Sequence, residues 1–323
     1  MQLSKKNSLI ILHVIIFIWG FTGILGELIQ MGSIPLVINR MIIAFLSLVL
    51  FEFFFFRKKN LSFKNKLYFF GTGILISIHW VLFFEAINIY NVSLAVTCLS
   101  TTAFFTSFID PIIKKNKIKI HEILLSFFVI IGIIIIFYSP ENVNLEYRKK
   151  AIILSVFSAM FASIFTSLNS IFIQKGHSSF QITKYEMIGG AIFTFIYWLV
   201  KKAKSLFEVT ENINIEKETL ELYLIIKNQI NTDLIPKGND IIYILILSII
   251  CTSIAYLISV EIMKKIKPFT MNISVNMEPI YAMILAIIIF KEQEIMSIGF
   301  YLGALIIIIS IYLNTIFKRN QNK

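Results

Sequence analysis

Apolar runs of about 20 residues recur along this 323-residue chain, and they limit its fold more than any other feature. Twenty residues is about the length that an α-helix needs to cross the hydrocarbon core of a bilayer. Charged residues make up only 15% of the chain, against about 25% in soluble domains. The sequence therefore predicts an all-α polytopic membrane protein in contact with the lipid bilayer.

Ten membrane spans are predicted, separated by short polar segments. They lie at 8–30, 34–56, 67–90, 93–113, 120–139, 149–173, 183–200, 240–263, 268–290 and 294–317. Lys and Arg are enriched in cytoplasmic loops. If both termini are inside, 19 of the 30 Lys and Arg residues fall on the cytoplasmic side. We therefore expect both termini to be cytoplasmic.

A polar hinge at 139–150 divides the spans into two groups of five. Because five is odd, the second group enters the membrane in the opposite direction. We predict a first five-helix repeat at 1–139 and a second at 149–317, with a hydrophilic extracytoplasmic loop at 201–239. Inverted repeats of this kind are a common construction of secondary transporters, whose site lies near the midplane between the halves.

Weak internal similarity relates the two halves. An ungapped offset of 177 residues places Thr101 over Glu278, and a separate alignment places Arg40 over Glu186. Few identities support either alignment. They nevertheless indicate which residues of the two halves are equivalent.

Span nine contains an acid next to a proline, Glu278 and Pro279. A charged side chain at a helix centre in lipid costs about 2.5–3.5 kcal/mol on insertion scales. Pro279 removes a backbone hydrogen bond, so we expect a structural kink there. Glu278 either binds substrate or exchanges protons in a wet cavity, or is a protonated acid bonded to a neighbouring helix. Asn272 and Asn276 form a second polar stripe almost opposite Glu278, and one of the two stripes faces another helix.

Other polar and aromatic residues within spans are candidates for the substrate site. Thr101 is one of several hydroxyls at helical spacing, which either contribute to a site or bond their own backbone. His79 is either a bonded structural group or a proton-coupling group. Trp80 and Trp19 are candidate cavity walls, and Tyr281 would shape the site beside Glu278.

Four charged residues are candidates for gating or for the mouths of a pathway. Arg40 is predicted about two turns inside the outer surface, where it attracts an anionic group or pairs with Glu27 or Glu85. Glu186 is predicted near the inner surface. Glu261 occupies a place that roughly mirrors Glu85, and each of them either guards one mouth or extends to water.

Several classes of function find no support in the sequence. The chain lacks a Walker A loop, so no ATP-driven motor is indicated. Its four histidines lack metal-ligand spacing, and neither a metal site nor another cofactor is predicted. The net charge of +11 is spread in short clusters between spans, which argues against a nucleic-acid partner. A homodimer is left open.

Several segments together resemble the EamA-type permeases of the drug/metabolite transporter superfamily. They are "IWGFTGIL", "NRMIIAF", "VSLAVTCLSTTAFFTSFIDP", "YEMIGG" and "FTMNISVNMEPIYAMILAIIIFKEQEIMSIGFYLGALI". The resemblance implies ten helices in two inverted repeats and a central cavity lined by spans three, four, eight and nine. It also implies transport of a small metabolite by alternating access. The family's frequent proline in span four is replaced here by "STTAFF".

We therefore expect a secondary transporter in the bacterial cytoplasmic (inner) membrane. Its substrate would be a small polar molecule, such as an amino acid or a derivative, and coupling would be to protons or by exchange. The alternatives are a non-transporting membrane sensor or scaffold built on the same fold and, third, an intramembrane enzyme, for which the sequence offers no catalytic motif.

Overall fold

The computed structural model describes residues 5–55, 61–118, 120–139, 144–211, 234–266, 271, 274, 275, 277–291 and 296–320. The regular elements within these described residues are helices. They are α1 (Lys5–Leu28), α2 (Ser33–Phe55), α3 (Phe63–Ile89), α4 (Val92–Leu99), α5 (Thr102–Ile113), α6 (Ile120–Tyr138), α7 (Leu145–Gln174), α8 (Ser179–Glu211), α9 (Asp240–Ser248), α10 (Ala255–Ile262), α11 (Glu278–Phe290) and α12 (Ile298–Asn320). A π-helical segment, Ile249–Ile254, joins α9 to α10.

Helix occurs at each of the ten predicted runs, but not always as one continuous rod. Six helical stretches are long and apolar enough to cross a membrane by length and composition: Lys6–Leu28, Ser33–Phe54, Phe63–Ile89, Val92–Ile113, Leu145–Gln174 and Asp240–Ile262. Shorter apolar helical segments occur at Phe128–Tyr138, Glu278–Phe290 and Ile298–Ser310. A multi-pass helical protein is thus established, whereas the number of ten spans stays a prediction.

The fourth predicted span is broken in the middle. Helix α4 ends at Leu99, and α5 begins at Thr102. The hydroxyls of Ser100, Thr101 and Thr102 bond the backbone carbonyls three residues earlier, at 2.6, 2.7 and 2.7 Å. Such local bonds compete with the helical ladder, which explains why the helix is interrupted here.

The packing of the helices repeats between the two halves. Helix α3 packs against α7 and α8, just as α9 and α10 pack against α1 and α2. Helices α4 and α5 pack against α7, as α11 packs against α1. In three further pairs, α2–α8, α4–α11 and α6–α12, a helix of the first half packs against its counterpart in the second half. Corresponding helices of the two halves therefore have largely corresponding neighbours. A cavity lies between the two halves.

Glycines allow α3 and α8 to approach closely. A Cβ placed on Gly73 of α3 would lie 2.0 Å from the carbonyl oxygen of Glu186, and one on Gly190 of α8 would lie 2.5 Å from the carbonyl oxygen of Gly73. Small residues of this kind let helix backbones come together in membranes. The contact places Glu186 deep inside the protein.

The outer surface is apolar, and the buried positions include charges. Leu50 and Ile288 are 60% and 66% exposed, whereas Arg40 and Glu186 are 2% and 0% exposed. In lipid, charged groups are expected to face the interior of a helix bundle. This distribution suits a protein whose solvent is the bilayer.

Candidate functional site

A cavity of about 110 Å³ lies between the two halves. Helices from both halves line it, among them α1, α2 and α3 from the first and α7, α10 and α11 from the second. Of the residues predicted from sequence, six line this space: Trp19, Arg40, His79, Trp80, Glu278 and Pro279. The structure thus brings together groups that are separated by up to 260 residues in the chain.

Arg40 supplies the positive charge of the cavity. Its Nε donates to the Thr252 hydroxyl at 2.7 Å, and its Cζ lies 3.8 Å from the centroid of the Trp80 ring. This stacking on an aromatic face is a cation–π contact. The Nη1 of Arg40 is buried without a hydrogen-bond partner among the described residues. One edge of the guanidinium is therefore available to a ligand.

The π-helical segment presents Thr252 to Arg40. The Thr252 hydroxyl donates to the carbonyl of Leu247, five residues earlier, at 2.8 Å. Trp19 Nε1 of α1 donates to the carbonyl of Cys251 at 3.1 Å. A backbone acceptor of the π-helical segment is therefore bonded by a side chain of α1. Single π turns inside α-helices are frequent at functional sites.

Glu278 supplies the negative charge, and it begins a helix. Helix α11 starts at Glu278, with Pro279 as its second residue. The predicted kink at Pro279 therefore corresponds to a helix start, where proline is tolerated because the first N–H groups have no intrahelical partner. A helix N-terminus also favours a carboxylate through its dipole. Both effects reduce the cost of placing this pair of residues inside the membrane.

Arg40 and Glu278 face the same cavity without pairing with each other. The ion pairs found among the described residues do not include either side chain. Arg40 comes from the first half of the chain and Glu278 from the second. The cavity thus holds a basic and an acidic side chain that interact electrostatically but form no ion pair with each other.

His79 is bonded to a neighbouring helix. Its Nδ1 lies 3.0 Å from the carbonyl oxygen and 2.8 Å from the hydroxyl of Ser158 on α7, and that hydroxyl also lies 2.9 Å from the His79 carbonyl oxygen. The His79 ring lies 5.5 Å from that of Phe165, which lines the same cavity. His79 is therefore both a bonded packing group and a wall of the cavity.

A second polar group beside the cavity includes two residues that sequence reasoning missed. Asn169 Nδ2 donates to the Tyr256 hydroxyl at 2.6 Å, and that hydroxyl donates to Glu186 Oε2 at 3.2 Å. Asn169 and Tyr256 both line the cavity. An Asn inside an apolar span was a usable signal for Asn169, whereas nothing local distinguished Tyr256 from other tyrosines. Glu186 is fully buried at the end of this chain of contacts.

The four candidate gating residues fall into two equivalent sets. Ser33, the first residue of α2, donates to Glu85 at 2.7 Å, and Ser179, the first residue of α8, donates to Glu261 at 2.7 Å. Arg40 follows Ser33 by seven residues, as Glu186 follows Ser179. Arg40 bonds Thr252 and not Glu85.

Other predicted residues lie away from the cavity or outside the described residues. Thr101 bonds the Cys98 carbonyl at the break between α4 and α5, while its neighbours Ser100 and Thr102 line the cavity. Tyr281 packs against Phe17 of α1, with ring centroids 5.6 Å apart. Asn272 and Asn276 lie outside the described residues, so the orientation of their stripe stays a prediction.

Two helical halves with an apolar exterior, and between them a largely apolar cavity that contains Arg40 and Glu278, are typical of a multi-pass membrane protein of the transporter type. The chain matches the EamA-like transporter family over residues 7–138 and again over 149–316, and it belongs to that family. The resemblance seen in the sequence is thereby confirmed.

Comparison with solved structures supports the fold alone. One crystal structure, described only as that of a protein, superposes with a TM-score of 0.62 at 10% sequence identity. The match covers 99% of this chain and 100% of the other. No curated protein matches the sequence.

Proposed function

We propose that the protein is a secondary transporter that moves a small zwitterionic metabolite, such as an amino acid or a derivative, by alternating access. It would act in the bacterial cytoplasmic membrane, with ten spans in two inverted repeats and both termini cytoplasmic. The observation that carries this proposal is the presence of Arg40 and Glu278 in one cavity between the halves.

The chemistry of these two residues suits a molecule with both charges. A guanidinium binds a carboxylate through paired N–H donors, and the Nη1 of Arg40 has no partner among the described residues. A carboxylate such as Glu278 binds an ammonium group. Because an uncompensated buried charge is strongly unfavourable, a zwitterion that satisfies both residues at once would bind better than an ion of either sign.

The walls and the size of the cavity limit the rest of the substrate. Trp80, Phe83 and Phe165 provide aromatic surface. The space of about 110 Å³ is below the pockets of about 300–1,000 Å³ that hold drug-sized ligands. We therefore propose a small substrate with a compact apolar side chain.

Neutralisation of the cavity would link binding to transport. With the substrate bound, Arg40 and Glu278 are both paired, and the loaded cavity can close and reopen on the other side at a lower electrostatic cost. This favours exchange of one substrate molecule for another.

Counterflow in proteoliposomes tests the proposal. A thermal-shift screen of purified protein against pooled metabolites selects the compounds, and uptake of each labelled compound into preloaded vesicles is then measured. Glu278→Gln and Glu278→Ala should reduce counterflow by at least about tenfold, which corresponds to about 1.4 kcal/mol. Glu146→Gln, which alters an exposed acid at the start of α7, is the matched control.

Two results would contradict the proposal. Counterflow by both Glu278 variants at the parental rate would remove Glu278 from the site. Binding of a metabolite by the parent without any counterflow would favour a membrane sensor instead.

A further inference from the structure

Two buried oxygen atoms beside the cavity lack a donor. Glu186 Oε1 and Asn169 Oδ1 have no hydrogen-bond partner among the described residues. Their side chains belong to residues that are 0% and 1% exposed. Tyr256 contacts both residues, because its hydroxyl accepts from Asn169 and donates to the other oxygen of Glu186. A buried acceptor without a donor is costly, and two of them in one cluster require an explanation.

Among the described residues, the charged groups of α8 and of the helices packed against it do not contact the Glu186 carboxyl. On α2, Arg40 bonds Thr252. On α8 itself, Lys184 pairs with Glu52 of α2 at 2.6 Å. On α10, Glu261 is engaged by Ser179 of α8 and by Lys264, both through hydrogen bonds.

The remaining elements bring no charge to the Glu186 carboxyl. Helix α3 meets the backbone of Glu186 with Gly73. Its Lys66 lies over the ring of Tyr185, 5.7 Å from the centroid, and its only histidine, His79, is bonded to Ser158. Helix α7 offers Asn169, and α10 offers Tyr256 as the one titratable group in contact within the described residues. No cation is therefore placed to balance an ionised Glu186 in this conformation.

We propose that Glu186 is the site at which this transporter carries a proton, separate from the substrate-binding pair Arg40 and Glu278. The inference rests on the proposed transport function and extends it to coupling. A proton on Oε1 removes the cost of an unpaired buried carboxylate and provides the donor that the cluster lacks. Glutamates within membrane spans are known to serve as proton relays.

Tyr256 connects this site to the cavity. Its ring lines the cavity, and its hydroxyl touches Glu186 Oε2. On release, the proton passes from Oε1 to a water molecule in the opened cavity, and the carboxylate keeps the hydrogen bond from the Tyr256 hydroxyl. Uptake is the reverse step, in which a hydronium ion returns the proton to Oε1. Because a carboxylate needs water around it, release requires that the α8–α10 contact loosen, which links the proton to the conformational change.

The experiment compares two modes of transport in the same proteoliposomes. The probe is an equimolar, radiolabelled mixture of the common amino acids. Glu186→Gln keeps a neutral side chain of the same shape, so counterflow without a gradient should stay within about twofold of the parent. Accumulation driven by a pH gradient should fall by at least about tenfold. A pH dye inside the vesicles should report proton movement with the parent and none with Glu186→Gln.

A second variant and a ligand-free measurement keep the inference falsifiable. Tyr256→Phe leaves Glu186 in place but removes the hydroxyl, and it should slow gradient-driven accumulation more than counterflow. Without any substrate, the melting temperature of the parent should fall more than that of Glu186→Gln between mildly acidic and mildly alkaline pH, because the buried proton is lost as the pH rises.

The possible failures are distinguishable. Unchanged gradient-driven accumulation by Glu186→Gln, or equal pH dependence of the two melting temperatures, would overturn the inference while leaving the proposed transport intact. Absence of counterflow in the parent would contradict the proposed amino-acid transport, and the melting comparison would then decide the role of Glu186 by itself.

Discussion

Ser33 Oγ donates a hydrogen bond to Glu85 Oε2 at 2.7 Å, and the contact recurs between Ser179 and Glu261 at the same distance. In each half, the serine is the first residue of an observed helix, α2 or α8, and the glutamate lies in the last turns of α3 or α10. The two contacts therefore fasten equivalent helix ends. In an inverted repeat, these ends lie on opposite sides of the membrane, as expected for a pair of gates.

Removal of the Ser33 hydroxyl and removal of the Ser179 hydroxyl should have opposite effects on which side of the membrane has access to the cavity. A hydrogen bond to a charged group contributes about 1.5–3 kcal/mol, so Ser33→Ala and Ser179→Ala should each shift the ratio of the two open states by about tenfold. Cys251 lines the cavity, and its reaction with a membrane-impermeant thiol reagent added to either side reports access.

The background for this measurement is Cys98→Ser, which removes the other cysteine. Glu146→Gln, which alters an exposed acid at the start of α7 away from both contacts, is the control and should leave both reaction rates unchanged. A shift in the same direction for Ser33→Ala and Ser179→Ala would show that the two contacts are not opposing gates.

Arg40→Lys should weaken substrate binding although it keeps the positive charge. Lysine is a point charge that cannot both bond Thr252 and lie flat on Trp80. Stacking on an aromatic ring contributes about 0.5–2 kcal/mol, and we expect a rise in the substrate Kd of about tenfold. Isothermal titration of purified protein measures the Kd.

Thr252→Val is the companion variant, because it removes one partner of Arg40 and leaves the guanidinium and its stacking in place. Its effect on the Kd should be smaller than that of Arg40→Lys. Parental affinity in Arg40→Lys would mean that charge alone matters at this position.

Gly73→Ala should destabilise the protein through the α3–α8 contact. The added Cβ would meet the backbone oxygen of Glu186 at 2.0 Å, and backbone cannot move aside as a flexible side chain can. Overpacking of this kind costs about 1–3 kcal/mol. Thermal unfolding in detergent should show a lower Tm.

Gly71 provides a control on the same helix. A Cβ there meets no atom within 4 Å, and alanine is the better helix former by about 1 kcal/mol. Gly71→Ala should therefore have an unchanged or raised Tm. Equal losses in both variants would indicate that the helix backbone, and not the contact with α8, is responsible.

Arg148→Ala should destabilise the connection between the two halves. The guanidinium on α7 donates to the carbonyl oxygens of Ser139, at 2.5 Å, and Phe137 at the end of α6. The last carbonyls of a helix lack intrahelical partners, so the loss should cost about 2–4 kcal/mol. Chemical denaturation of the purified protein measures this change.

The exposed Lys150, two residues further along α7, is the matched basic residue. Lys150→Ala should leave the free energy of unfolding within about 0.5 kcal/mol of the parent. A comparable loss in Lys150→Ala would point to charge and not to the carbonyl contacts.

The apolar runs predicted helix bounds accurately where the whole helix is apolar. Span two was predicted at 34–56, and α2 covers Ser33–Phe55. Span seven was predicted at 183–200, but α8 continues to Glu211. The extra turns contain Lys201 and Lys202, so they are polar and lie beyond the apolar run. Hydropathy detects the part of a helix that suits lipid and not the full hydrogen-bonded element.

Some of the polar residues of the cavity could also be predicted, because a charged or polar aromatic side chain is unusual in an apolar span. Arg40, His79 and Glu278 were found in this way. Tyr256 and Asn169 were not recognised, because their importance comes from a contact between α7 and α10 that depends on how distant helices pack. The local sequence thus identifies an unusual residue but does not predict which distant residue it contacts.

The equivalence of Arg40 and Glu186 has a thermodynamic consequence. The same place is occupied by a cation in one half and by an acid in the other, although the surrounding helices pack alike. In the proposed alternating access, each half takes up the conformation of the other with a different buried charge, so the two end states should differ in free energy even between identical solutions. The empty protein should therefore rest with its cavity turned toward one preferred side of the membrane.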